Sequence, residues 1–251
     1  MSVIHYQKKE DMYFEIMENG VLRAEMLAGM VDGVHTYKCR VKAGDVLELE
    51  IFSGCTQLFY FTYGEGFIVT RKEAYNVKEP SLFLPDIDNG HNELHAVTDM
   101  EFLHFVSLML PEDVERFNKW HITMPRFCPV SQCIQYRECF RPESIKAYSI
   151  LDTDFLTRMT MGAIIGTGPN KAEPHSHENL YQWYYGMPGT KFIYKAAGEE
   201  IELCEGDMAF IPTDIEHAIS VEKGECVNYV WFEIELTKDE MRKKRQVKEN
   251  E

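Results

Sequence analysis

The sequence predicts an all-β protein built from two copies of one unit, joined by a short helical linker and ended by a charged tail. Three observations carry this reading. Runs of β-branched and aromatic residues, bounded by turn residues, recur along all 251 positions. The chain resembles itself when shifted by 125 residues: Gln57 falls on Gln182, Tyr60 on Tyr185, Gly64 on Gly189 and Phe67-Ile68 on Phe192-Ile193. The only histidines after His121 are His175, His177 and His217, set in text that reads as neighbouring strands.

The elements follow in order. Val46 to Phe52, Leu58 to Tyr63, Gly66 to Thr70 and Phe102 to Leu110 read as strands of a first copy between about residues 12 and 110. Pro111 to Trp120, opened by proline, reads as a connecting helix. His121 to Ile145 contains Pro125, Pro129 and Pro142 and is expected to be an ordered strap. The second copy starts at Lys146 and ends near Leu236. From Thr237 to Arg245 the chain is a charged helix or frayed end, whose basic run reads as a solvated face. The expected domains are therefore residues 1–112, a linker at 113–145, and residues 146–251. Further on, a shift of 127 lays Phe83 on Phe210 and Pro85 on Pro212, and one of 126 lays Asp88 on Asp214 and His91 on His217.

A strand places residues i and i+2 on one face, so His175 and His177 can grip one ion together. His217 follows a Gly206-Asp207 opening, an apolar run and a Pro212-x-Asp214 turn, which suits delivery by an adjacent strand. Neutral imidazoles are the usual ligands of a divalent transition metal.

These residues resemble the cupin superfamily. Its first motif, G-x5-H-x-H-x3-4-E-x6-G, is matched by His175, His177 and Gly189, with Pro169 at the opening glycine and Gln182 in the place of the glutamate. Its second, G-x5-P-x-G-x2-H, is matched by Gly206, Pro212 and His217, with Asp214 replacing the second glycine. The resemblance implies two tandem cupin jelly-roll barrels, and one divalent ion (Zn, Mn, Fe, Ni or Co) held in the second by His175, His177, Gln182 and His217. In the first copy, Glu50 and Phe52 stand at the positions of His175 and His177. That copy is expected to be degenerate and structural, keeping Gln57 and His91; the alternative is a small-molecule pocket lined by Glu50, Gln57 and His91.

Four neutral ligands leave the ion its full double charge, which strengthens it as a Lewis acid and disfavours a trivalent state. The expected function is a metal-dependent isomerase or lyase acting on a small oxygenated acid, such as a sugar acid or keto acid. Cupins similar in ligand set imply the same kind of proton transfer. The alternatives are a metal-dependent dioxygenase and a non-catalytic ligand-binding protein of two barrels. Tyr184, on the face of Gln182, is the first candidate acid/base, and Glu173, two residues before His175, is the second. Arg158 is the candidate clamp for a substrate carboxylate. The site's carboxylate is expected from Glu173 or Glu178 if Gln182 is a bystander.

A net charge of −15 argues against a nucleic-acid partner. No apolar stretch approaches the roughly 20 residues of a membrane helix, and no secretory leader is evident, so a cytoplasmic location is expected. A small acidic molecule is the expected partner, and a homodimer is left open. The seven cysteines lack a zinc-type spacing, although Cys128, Cys133 and Cys139 cluster.

Overall fold

The computed structural model describes residues 2–86, 90–120 and 123–248. In chain order the strands begin with β1 (His5–Gln7), β2 (Glu15–Ile16), β3 (Leu22–Glu25), β4 (Val34–Val41), β5 (Val46–Glu48) and β6 (Cys55–Tyr63). Then come β7 (Gly66–Thr70), β8 (Ala74–Val77), β9 (Ser81–Leu84), β10 (Asn92–Ala96) and β11 (Met100–Leu108). Helix α1 (Pro111–Trp120) leads to β12 (Arg126–Pro129), β13 (Ile134–Tyr136), β14 (Lys146–Leu156) and β15 (Met159–Thr167). The rest are β16 (Asn170–His175), β17 (Leu180–Gly186), β18 (Lys191–Ala196), β19 (Glu199–Cys204), β20 (Met208–Ile211), β21 (His217–Val221) and β22 (Cys226–Glu235), with a final helix α2 (Lys238–Lys248).

The strands form two copies of one pattern. One seven-stranded sheet has the order β12-β9-β6-β11-β4-β3-β2 and the other β1-β20-β17-β22-β15-β14-β13. The four-stranded sheets run β5-β10-β7-β8 and β16-β21-β18-β19. Each strand has a counterpart at the same place in the other copy, so the fold is an all-β pair of jelly-roll barrels.

The two compact units are discontinuous in sequence. One comprises Met1–Tyr6, Leu110–Trp120 and Gln135–Glu251; the other comprises Gln7–Met109 and His121–Ile134. The expected linker at 113–145 is thus divided between them. Its β12 pairs with β9, and its α1 joins the second unit through Asp113. His121 and Ile122, the first residues of the expected strap, lie outside the described residues, as does Asp88 of the Asp88–Asp214 alignment.

Helix α1 begins at Pro111, whose missing N–H costs nothing in the first turn, and carries Glu112 and Asp113 near its positive end. The Asp113 carboxylate accepts from the Leu110 amide at 3.0 Å, so one orphan donor of the helix start is satisfied.

In the four-stranded sheets burial alternates along the strand, as in β18 and β21, because one face turns to the core and the other outward. Phe59, Phe61, Ile68, Phe83, Leu94 and Phe102 fill the first core. The second is more polar at its centre, with Tyr184, Tyr194 and Tyr229 among its buried residues. Each large apolar side chain so buried contributes about 1.5–3 kcal/mol.

Register corrects three of the self-alignments. β10 and β21 both begin on a buried residue, and Asn92 opposite Thr70 stands where His217 stands opposite Ala196. The counterpart of His217 is therefore Asn92 and not His91. One residue of slip reverses every side chain, and His91 accordingly turns outward, 3.0 Å from Glu48. Ile68 likewise matches Tyr194, and Phe83, which pairs with Phe59, matches Ala209, which pairs with Tyr184.

Gln57 does sit in the first barrel's interior, where its carbonyl oxygen lies 3.0 Å from His104 Nε2. His104 stacks on Phe59 with centroids 4.2 Å apart, and burial pushes its pKa down to about 3. The folded state thus resists a proton that the unfolded state accepts below about pH 6.5. Stability from this histidine is complete above pH 6.5 and is lost as pH falls toward 3. Between pH 7 and 4.5 the loss is about 2–3 kcal/mol. Urea titrations of wild type and His104→Gln at both values should differ by that amount in their pH dependence. Equal pH dependence would show that His104 titrates normally.

Candidate metal centre

The histidines converge because of local strand geometry. β16 pairs with β21 so that His175 lies opposite His217, and His177 follows two residues past the end of β16, just before the turn at 178–179. One potential ligand atom from each of His175, His177 and His217 lies within 4.8 Å of the others. Nitrogens around one tetrahedral ion stand about 3.4 Å apart, so small side-chain rotations close the set.

The tautomers are set for metal binding. His175 Nδ1 lies 2.8 Å from the Glu173 carbonyl and donates to it, which leaves Nε2 as a bare lone pair. That Nε2 is buried without a hydrogen-bond partner among the described residues. An orphaned acceptor of this kind is costly unless something binds it. His217 Nδ1 donates to Ile215 O at 3.1 Å, and its Nε2 lies 3.1 Å from the Tyr184 hydroxyl. Burial first, then the neighbouring histidines and Arg141, keeps the imidazoles neutral; His177 is pushed down to about 4 and His217 to about 3. The donor set fits a divalent transition metal.

Two loops hold these ligands, and α2 braces both. The Asp214 amide donates to the His177 carbonyl at 3.3 Å. Lys244 of α2 donates to Asn179 Oδ1 at 2.9 Å and forms an ion pair with Asp214. The basic tail is therefore more than a solvated face at Lys244. Asp214, which replaces the motif glycine, has φ 64, a left-handed conformation that glycine adopts freely and aspartate tolerates.

Gln182 and Tyr184 share the inward face of β17. Gln182 is buried and its amide nitrogen donates to Glu233 Oε1 at 2.7 Å, leaving the carbonyl oxygen as the atom it can offer a metal. Glu233 lies directly opposite on β22, is itself buried, and also accepts from the Thr160 hydroxyl at 3.2 Å. Burial raises its pKa to about 6, against the lowering effect of those hydrogen bonds. Burial likewise pushes the Tyr184 phenol well above its usual range, so it is a neutral donor beside His217.

The sequence reading missed Glu233. The available signal was a carboxylate inside an apolar strand, in phase with Trp231 and Tyr229. It also missed Arg141, which is largely buried and donates to Tyr229 Oη at 2.9 Å and to Glu138. Its neighbour Phe140 stacks on His175 with centroids 3.8 Å apart.

Two expected roles are corrected. Glu173 is exposed and lies 2.7 Å from Lys171, because the strand is irregular between Ala172 and His175 and the two-residue alternation fails there. Glu178 is exposed as well. Arg158 is buried, with Nε and an Nη on the Asp113 carboxylate at 2.9 and 3.3 Å and the other Nη on Glu235 O at 2.9 Å. Its donors serve the fold.

In the first unit, Glu50 forms an ion pair with Arg23. A cavity of about 20 Å³ near Glu50, Phe59 and His104 has roughly room for one water. Glu48, His91 and Glu93 also come within ligand distance of one another, but they face solvent and bond among themselves.

Residues 163–233 match the family model for the Cupin domain. No curated protein sequence matches the chain. A glyoxylate-induced protein from Pseudomonas aeruginosa superposes with a TM-score of 0.74 at 11% identity, covering 92% of this chain and 88% of that one. An oxalate decarboxylase mutant from Bacillus subtilis gives 0.71 at 14%, covering 92% and 77%. A 7S globulin from Momordica charantia gives 0.68 at 9%, covering 92% and 84%. The family match lies within the second barrel, and the whole chain shares the two-barrel fold of these solved structures. Among the described residues, no helix is long and apolar enough to cross a membrane.

Proposed function

We propose that the second barrel is a metal-dependent isomerase or lyase acting on a small oxygenated acid, such as a sugar acid or keto acid. The observation that carries this reading is the buried carboxyl group of Glu233, paired with Gln182 on the sheet face that also carries Tyr184, whose hydroxyl reaches His217 of the three-histidine cluster. His175, His177 and His217 would hold the ion, with Gln182 Oε1 completing the set. When bound, the ion would supply Lewis acidity toward a substrate oxygen. Glu233 offers a proton acceptor in a water-poor interior, and Tyr184 a neutral phenolic donor next to His217. The fold likeness to an oxalate decarboxylase, named for a small dicarboxylic acid, supports this substrate class, although a shared fold does not by itself carry an activity.

The test is turnover of sugar acids and keto acids by the metal-loaded protein, with and without oxygen. Oxygen-independent turnover is expected. Glu233→Gln should keep its metal and lose at least about 100-fold in kcat, as expected for removal of a positioned base. Turnover that consumes oxygen, or full activity in Glu233→Gln, would contradict the reading.

A further inference from the structure

The strap that supplies β12 carries a second reactive group. Cys128 lies on β12 opposite Leu82 of β9, and Cys133 follows a single 3-10 turn, Val130–Gln132. Both ends of this turn are fixed. The Val130 amide donates to Pro80 O at 2.9 Å, and the Cys133 amide donates to Val130 O at 3.0 Å. The turn brings the two sulfur atoms to 3.5 Å, and both residues are half-buried rather than sealed in the core. A disulfide has an S–S length near 2.05 Å, so closure needs a movement of about 1.5 Å, within the reach of side-chain rotation.

We propose that Cys128 and Cys133 are a thiol pair that a peroxide converts to an intrachain disulfide, a modification site sharing no residue with the histidine cluster. The hydrogen bond from Cys133 holds the Cys128 thiol down to about 7, and Arg126 adds to the effect, so Cys128 is the attacking sulfur. Its thiolate displaces hydroxide from hydrogen peroxide, forming a sulfenic acid. The Cys133 sulfur then attacks that sulfur, the S–O bond breaks and water leaves with the Cys133 proton. Two thiols and one peroxide thus become one disulfide and two waters, the two electrons passing to the peroxide. Cys39 serves as the internal contrast, since burial pushes its thiol far up and it has no sulfur partner among the described residues.

The experiment treats the reduced full-length protein with hydrogen peroxide and follows intact mass and thiols alkylated in denaturant. Two of the seven cysteines should be lost, with a mass decrease of two hydrogens, and digestion should yield a peptide pair joined through Cys128 and Cys133. Dithiothreitol should restore both. Cys133→Ser removes the resolving thiol, so Cys128 should then accumulate as a sulfenic acid that dimedone labels, while Cys128→Ser should give no such adduct at Cys133. Alkylatable Cys128 and Cys133 after the exposed Cys139 has been oxidised would overturn the proposal, as would a bond from either to another cysteine.

Discussion

His177→Ala is expected to lower metal affinity by more than about 100-fold, since even residues that merely orient ligands are worth 10–100-fold. His177 follows the β16 ladder in a segment tied by its carbonyl to the Asp214 amide. That bond uses main chain only, so truncation of the imidazole leaves it in place. The ion adds to a site whose walls are already packed by Tyr184, Tyr194 and Ile219, and the barrel should therefore remain folded without it. The comparison is divalent-ion titration of wild type and variant, with circular dichroism as the control for folding. Equal affinities would remove His177 from the ligand set.

Arg158→Ala should cost about 3–5 kcal/mol of stability, the penalty for leaving a buried charge without its partner. Asp113 is 1% exposed and receives two bonds from this guanidinium; the third holds the Glu235 carbonyl at the end of β22. Replacement of both partners by apolar residues should be far milder, because no charge is then stranded. Urea unfolding of Arg158→Ala and of the double variant Arg158→Met/Asp113→Leu distinguishes the cases. An Arg158→Ala protein of normal stability that binds acids poorly would return Arg158 to the role of a substrate clamp.

The arginine shows where sequence periodicity stops being informative. Its position before β15 reads equally well as rim or interior, and its partner lies 45 residues earlier on a helix. The three histidines were legible because their spacing and the turn residues around them report local geometry directly. Glu173 was misplaced because an irregularity between Ala172 and His175 inverted the alternation that the spacing assumes. His91 was misplaced by a single residue of register, which only the pairing of Asn92 with Thr70 reveals. Glu233 depends on a contact between strands 51 residues apart, and no local pattern states which side chain faces Gln182. Duplication itself was visible in the sequence through Gln57, Tyr60 and Gly64, although strand length differences of one residue blurred it beyond Gly64.

The division of labour between the barrels follows from these positions. In the first, Asn92 stands where His217 stands, and Gln57 is turned to His104 instead of a carboxylate. Its core is packed with phenylalanine where the second barrel carries tyrosines, so it offers few ligands and little room.

Elemental analysis of the metal-loaded, extensively dialysed protein tests the central claim most directly. One divalent ion per chain is expected in wild type and in His91→Ala, and none in His175→Ala/His217→Ala. Two ions per chain, or one that persists in the double variant, would contradict it.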